Sequence, residues 1–193
     1  MNSRFIASLL TLVLLATSCA TVVFDDGQVS FVDEDAQLKC SQPGAIMLAA
    51  QAVPTATHIP CIDAMPSGWR IEGTEVRSDR VLVRFDSGRA PIDDLTLTFT
   101  SSCIPASTVI DATDSPLGLA PGATISTEPT TGNPIQGIRL AVTGPGYCAD
   151  FDVELGADEP IDVEDFPTWL WIERSEIDSW VFEGTNQELR LDP

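Results

Sequence analysis

Two stretches alternate apolar and polar side chains with a period of two. Residues 80–85 read Arg-Val-Leu-Val-Arg-Phe, and in 94–100 Leu95, Leu97 and Phe99 interleave with Thr96, Thr98 and Thr100. That period marks strands with one face in a core. Asp86-Ser87-Gly88 and Pro91 lie between them as turn formers, so the pair is expected to be an antiparallel hairpin. Residues 137–143 and 147–155 predict a second hairpin around Gly144-Pro145-Gly146, with Phe151, Val153 and Leu155 alternating with Asp150, Asp152 and Glu154. The intervening 105–134 is rich in Thr, Ser, Pro and Gly. A structureless loop of that length is uncommon in a compact domain. It reads as a mobile stretch, a binding loop, or a weakly marked strand pair around 124–127.

The flanks follow other patterns. Segment 40–69 opens on Cys40, runs apolar through 45–52, reaches Cys61 and ends on Pro66-Ser67-Gly68 with Trp69 behind it. It reads as a buried segment pinned at both ends, the nucleus of one domain. Near the other end, 160–167 is acidic and Trp169-Leu170-Trp171-Ile172 is apolar. Ser175 then stands as an N-cap before Glu176 and Asp178, predicting a helix with Ile177, Trp180 and Val181 inward and Gly184 as its stop. Residues 187–192 are expected to be extended or coil. The fold class expected is α+β, mainly antiparallel sheet built from two hairpins with a C-terminal helix packed on it; an all-β sandwich-like arrangement is the alternative.

The first residues read as an export signal. Arg4 precedes an apolar run over 5–15, too short for a bilayer span of about 20 residues. Ala16-Thr17-Ser18 then stands directly before Cys19, a pattern that resembles a bacterial lipobox, although Ala16 occupies the usual Leu position and Leu15 lies one place further out. The expectation is a signal peptide over 1–18, lipidation at Cys19, an acidic tether over 19–37 carrying Asp25, Asp26, Asp33, Glu34 and Asp35, and one disulfide-stapled globular domain over 38–193. Residues 29–32 could add an edge strand to it.

Charge narrows the partners. The chain has 29 acids against 10 bases, a net charge of −19. Such a surface repels phosphate backbones and anionic lipid head groups, so no nucleic-acid partner is expected. With Cys19 given to lipid, Cys40, Cys61, Cys103 and Cys148 remain, an even set that reads as disulfides in an exported chain. Three pairings exist; 40–61 with 103–148 is favoured because each closes a local loop. His58 is the only histidine and no Cys-x-x-Cys occurs, so no zinc site is expected, and the acids do not follow a calcium-loop pattern.

The same scarcity bears on catalysis. His58 has no nucleophile elbow to serve, and it reads as a structural residue. Asp86-Ser87-Gly88 is followed by Arg89 and has no second copy, so a turn explains it better than an aspartic protease does. Carboxylate pairs remain open to a hydrolase. No catalytic residue, metal or cofactor is assigned. Trp69, Trp169 and Trp171 are the possible binding residues, if exposed, and otherwise core.

The pieces AQAVPTATHIPCIDAMPSGW, LTLTFTSSC, PGYCADFDVEL and LRLDP resemble an uncharacterised family of exported or membrane-anchored proteins of high-GC Gram-positive (actinobacterial) bacteria. That resemblance implies an envelope location and no activity. The function expected is a non-enzymatic lipoprotein on the outer face of the cell membrane, held there by lipid on Cys19 and binding or supporting an envelope protein or glycan. A solute- or glycan-binding module is the second reading, and an envelope hydrolase the third.

Overall fold

A computed structural model describes residues 21–25, 28–32, 37–88, 92–110, 117–131, 136–156 and 166–177. Its centre is a nine-stranded sheet of antiparallel pairs. The strands are β1 (Thr21–Asp25), β2 (Gln28–Val32), β4 (Arg70–Arg77), β5 (Arg80–Asp86), β6 (Ile92–Thr100), β7 (Thr108–Ile110), β8 (Thr124–Thr131), β9 (Gln136–Gly144) and β10 (Tyr147–Leu155). Their spatial order is β1-β2-β4-β5-β6-β10-β9-β8-β7. Strands β3 (His58–Ala64) and β11 (Thr168–Glu173) form a second, two-stranded sheet. Helices α1 (Pro43–Ala52) and α2 (Arg174–Ile177) complete the described elements, so the fold is α+β and dominated by antiparallel strands.

Both expected hairpins are present. In β5 and β6, Val81 faces Phe99, Val83 faces Leu97 and Phe85 faces Leu95, all buried. Strand β10 continues the pattern, with Ala149, Phe151 and Val153 opposite Phe99, Leu97 and Leu95. These rows form the inner face, and burying one such large side chain contributes about 1.5–3 kcal/mol. Trp169 of β11 lies against it, its ring 5.9 Å from Phe85 and 5.3 Å from Phe151. Residues one step away in each strand form the outer face.

Segment 40–69 is buried over much of its length and cross-linked through Cys40 and Cys61, in a form its pattern did not specify. Pro43 opens α1 at a position where a missing N–H costs nothing. The helix buries Ala45, Ile46, Met47, Ala49, Ala50 and Ala52, almost all round. Its C-terminal carbonyls are capped from a distance: Arg174 Nη1 donates to Ala50 O at 3.0 Å and to Val53 O at 3.4 Å. The chain returns as β3, which pairs with β11 from His58↔Glu173 to Ala64↔Thr168. Cys40 and Cys61 are bonded, as are Cys103 and Cys148.

Three expectations are refined. Within 19–37, read as an acidic tether whose residues 29–32 could add an edge strand, the described residues form the β1–β2 hairpin, which joins the sheet through Phe31↔Val76 and Val32↔Glu75. Asp26-Gly27 stands between the two apolar-rich runs in the sequence, a strong short-range hairpin signal that outweighs the repulsion of scattered acids. Stretch 105–134 contains β7 and β8, so the strand-pair reading holds for its described residues. Finally, α2 begins at Arg174, which puts Ser175 inside the helix instead of at its cap. Trp180, Val181, Gly184 and residues 187–192 lie outside the described residues, as do Met1–Ala20, Cys19 included.

Candidate functional site

The strand order creates a crossing problem. Strand β6 ends at Thr100 and β7 begins at Thr108, yet β10, β9 and β8 lie between them. The connecting residues 101–107 therefore have to pass over three strands, and they do so on the outer face. One anchor falls on each strand crossed. Cys103 is bonded to Cys148 of β10. Arg139 of β9 donates through Nη2 to Ile104 O at 2.9 Å. The Ala106 N–H donates to Ser126 Oγ of β8 at 2.9 Å, and Ser126 is buried beneath the strap.

Arg139 is the hub of this arrangement. Its Nε donates to Asp150 Oδ1 at 2.7 Å, its Nη2 also reaches Asp150 Oδ2, and its Nη1 donates to Glu128 Oε1 at 2.9 Å. Cross-strand register produces the cluster, because Glu128 and Asp152 stand directly opposite Arg139 on the two neighbouring strands. The hydrogen bonds to Asp150 and then Glu128 hold the guanidinium above even its ordinary range. Partial enclosure raises the Asp152 carboxyl, as does repulsion from Asp150 and Glu128, with Arg139 opposing. With both carboxylates and a carbonyl already on its donors, Arg139 organises this face and offers little to a ligand.

What the strap exposes is different in character. Ile104 is 79% exposed and Val109 of β7 is 72% exposed, on a segment pinned at three points. Among the described residues β7 is also the last strand of the sheet at this end. Strand β7 covers only Ile125–Thr127 of β8, so Pro129, paired with Ile138 of β9, lies beyond the reach of β7.

The structure separates the residues singled out in the sequence. Trp69 and Trp169 are buried and belong to the core, the alternative to an exposed binding patch: each packs edge-on to Phe85. Trp171 is half-buried, stacks on Tyr147 with 5.2 Å between centroids, and donates its indole N–H to the carbonyls of Leu117 at 2.9 Å and Gly118 at 3.0 Å. These contacts follow from strand parity: Trp169 and Trp171 share one face of β11, and that face meets the main sheet.

His58 sits at the rim of the same contact, 6.4 Å from the Tyr147 ring. Thr57 Oγ1 donates to Pro145 O at 2.9 Å and lies 3.1 Å from His58 Nδ1. With the hydroxyl hydrogen on that carbonyl, the imidazole is the donor, so the geometry is the reverse of a histidine activating a nucleophile. Thr55 Oγ1 likewise donates to Gly146 O at 2.7 Å, and together these threonines staple the start of β3 to the β9–β10 turn. Burial pushes the Tyr147 hydroxyl up to about 12, so it stays protonated at neutral pH. Asp86-Ser87-Gly88 makes turn contacts: Asp86 Oδ1 accepts the Gly88 N–H at 2.7 Å, Ser87 Oγ donates to Ile92 O, and Asp86 pairs with Arg70.

Across the outer face Asp86, Asp94 and Glu154 stand in one cross-strand row, the last two exposed. Among the described residues no group of three or more His, Cys, Asp or Glu is placed to hold a metal. No family model, curated protein or solved structure matches the chain. The strap was missed in the sequence because nothing local in 101–107 records which strands lie between β6 and β7.

Proposed function

We propose that the chain is a non-enzymatic lipoprotein of the cell envelope, anchored through Cys19, that binds another envelope component along the strap and the β7 edge. The observation that carries this reading is the rigid presentation of Ile104 and Val109, at 79% and 72% exposure, on a segment fixed to three successive strands. Exposed apolar side chains held on an ordered support mark interaction surfaces, and an edge strand lends its free backbone groups to an extended partner. Two disulfides suit an oxidising compartment, and the short apolar run before Cys19 supplies the route there. Burial of Trp69 and Trp169 speaks against a glycan platform built from those rings.

The test places a photo-crosslinking side chain at Ile104, at Val109 and, as a control, at Thr96 in the exported protein. The same discrete adduct from the first two positions and none from the third is expected. Adducts absent at all three, or identical at the control, refute the binding surface. Metabolic labelling with a clickable fatty acid tests the anchor separately: it should tag the wild type and miss Cys19→Ser.

A further inference from the structure

Strand β1 begins at Thr21, so a single residue separates it from Cys19. Two residues of chain reach at most about 7 Å. Among the described residues β1 is also the last strand at its end of the sheet. An anchor at Cys19 is therefore tied directly to a sheet edge. Register gives its height along that edge: Thr21 pairs with Val32, and Val32 with Glu75. From Glu75, β4 runs back to Arg70, which pairs with Asp86. That stretch extends about 16 Å past the level of Thr21, in the direction in which the chain leads back to Cys19. The anchor point thus falls about 9 Å short of the end of the sheet, and the strand ends cannot rest on a bilayer that holds it.

We propose, resting on the lipid anchor proposed above, that the domain stands on its β1 edge at the membrane surface and holds the β7 edge away from it. Eight inter-strand steps separate β1 from β7, up to about 38 Å at about 4.8 Å each. Ile104 and Val109 then face the envelope layer outside the bilayer, so their partner is a component of that layer and not a lipid or a membrane-embedded segment. Two other ways of resting on the bilayer are opposed. Laid on its outer face, the domain would set exposed Asp94, Asp152 and Glu154 against the head groups, with Arg70 and Arg84 as the exposed bases beside them. The net charge of −19 adds to that repulsion wherever the lipids are anionic. At physiological salt it reaches only about 8 Å, and standing on edge lifts β6 to about 19 Å and the strands beyond it further. The inner face carries the β3–β11 layer, which stands about 10 Å off the sheet, more than the link to Cys19 can reach. Asp33, Glu34 and Asp35 follow β2 in the sequence and oppose any deeper insertion of the edge.

The test measures height above a bilayer. The other four cysteines are held in two disulfides, so Cys19 is the one free thiol of the exported chain. That thiol is coupled to vesicles of phosphatidylglycerol and phosphatidylcholine carrying a maleimide-headgroup lipid and a fluorescent acceptor lipid. A donor dye is placed in turn at Ser30 of β2, Asp94 of β6 and Ser107 of the strap. Energy transfer should fall in that order, by roughly twofold or more from Ser30 to Ser107, across seven inter-strand steps. A Gly/Ser linker of about 15 residues inserted before Thr21, with a reach of about 21 Å, should level the series. Equal transfer at the three positions, a reversed order, or a gradient that survives the linker overturns the proposal. Thermal melts establish that each labelled chain is folded, and Gln28 replaces Ser30 if the latter is not. Because the attachment is chemical, the result stands whether or not the cell acylates Cys19, which the fatty-acid labelling tests on its own.

Discussion

Removing the Cys103–Cys148 bond with the double substitution Cys103→Ala/Cys148→Ala tests whether the strap depends on its covalent anchor. The bonded residues are 45 apart in sequence. Closing a loop of that size restrains the unfolded chain by about 4 kcal/mol on the chain-entropy model. The remaining anchors are Arg139 to Ile104 O and the Ala106 N–H to Ser126 Oγ. Each is worth roughly 1–3 kcal/mol at most, and both are already present in the wild type, so neither can compensate. The expected loss is about 3–4 kcal/mol, a fall in melting temperature of roughly 6–16 °C for a chain of this size. Urea denaturation and thermal melts measure it, with the m-value reporting any change in the unfolded state. Amide exchange supplies a second reading: protection at Ala106 should fall below that of the β10 amides. A loss under about 1 kcal/mol, with Ala106 still protected, would refute the argument that the bond holds the strap down. The Cys40–Cys61 loop, with a separation of 21, should cost somewhat less, about 3 kcal/mol.

The Arg139 hub makes a prediction of its own. Arg139→Leu should cost about 2–4 kcal/mol, because Glu128 and Asp150 are left facing one another in a partly buried site. Adding Glu128→Gln and Asp150→Asn should recover most of that loss by urea denaturation, and no recovery would show that packing of the arginine stem dominates. Asp152→Asn should stabilise the protein at neutral pH. Its carboxyl is raised in the fold, so its penalty is absent below the unfolded-state range, where both states are protonated, and grows as pH rises through the folded value. The advantage of the variant should therefore fade on acidification, and a constant advantage from pH 3 to 7 would contradict this. Gly146→Ala should destabilise by at least about 2 kcal/mol in a thermal melt. A Cβ there would lie 1.8 Å from Thr55 O on a backbone with φ of +74°.

How much of this was legible follows from what each strand buries. Strands β5, β6 and β10 turn alternate residues to the core, so their alternation is plain in the sequence. Strand β3 buries Ile59, Pro60, Cys61 and Ile62 in succession, so it reads as a continuous apolar run without a period. Helix α1 is buried nearly all round and has no polar stripe to mark its turns. In β4 the register shifts between Ile71 and Gly73, which breaks the alternation of Arg70–Arg77 midway. The Arg139 cluster depends on the exact cross-strand register of the consecutive strands β8, β9 and β10, and Arg77 facing Arg80 depends on the register of the β4–β5 hairpin. Parity alone puts Trp169 and Trp171 on one face of β11, but only the docking of β11 decides that this face is inward.

The strand order also makes β6 a seam. On one side of it the chain runs through neighbours close in sequence, β4 to β5 to β6, and on the other lies β10, whose partners β9 and β8 come before it in the chain. Until β10 arrives, β6 is a long free edge displaying Leu95, Leu97 and Phe99, an edge of the kind that captures strands from other molecules. Residues 101–155 must all be available before that edge can close. Cys103 follows the end of β6 and Cys148 lies at the start of β10, opposite Thr100, so their oxidation ties one end of the seam shut. A cell that delays this bond leaves the chain exposed to aggregation for longer, whatever the stability of the finished domain.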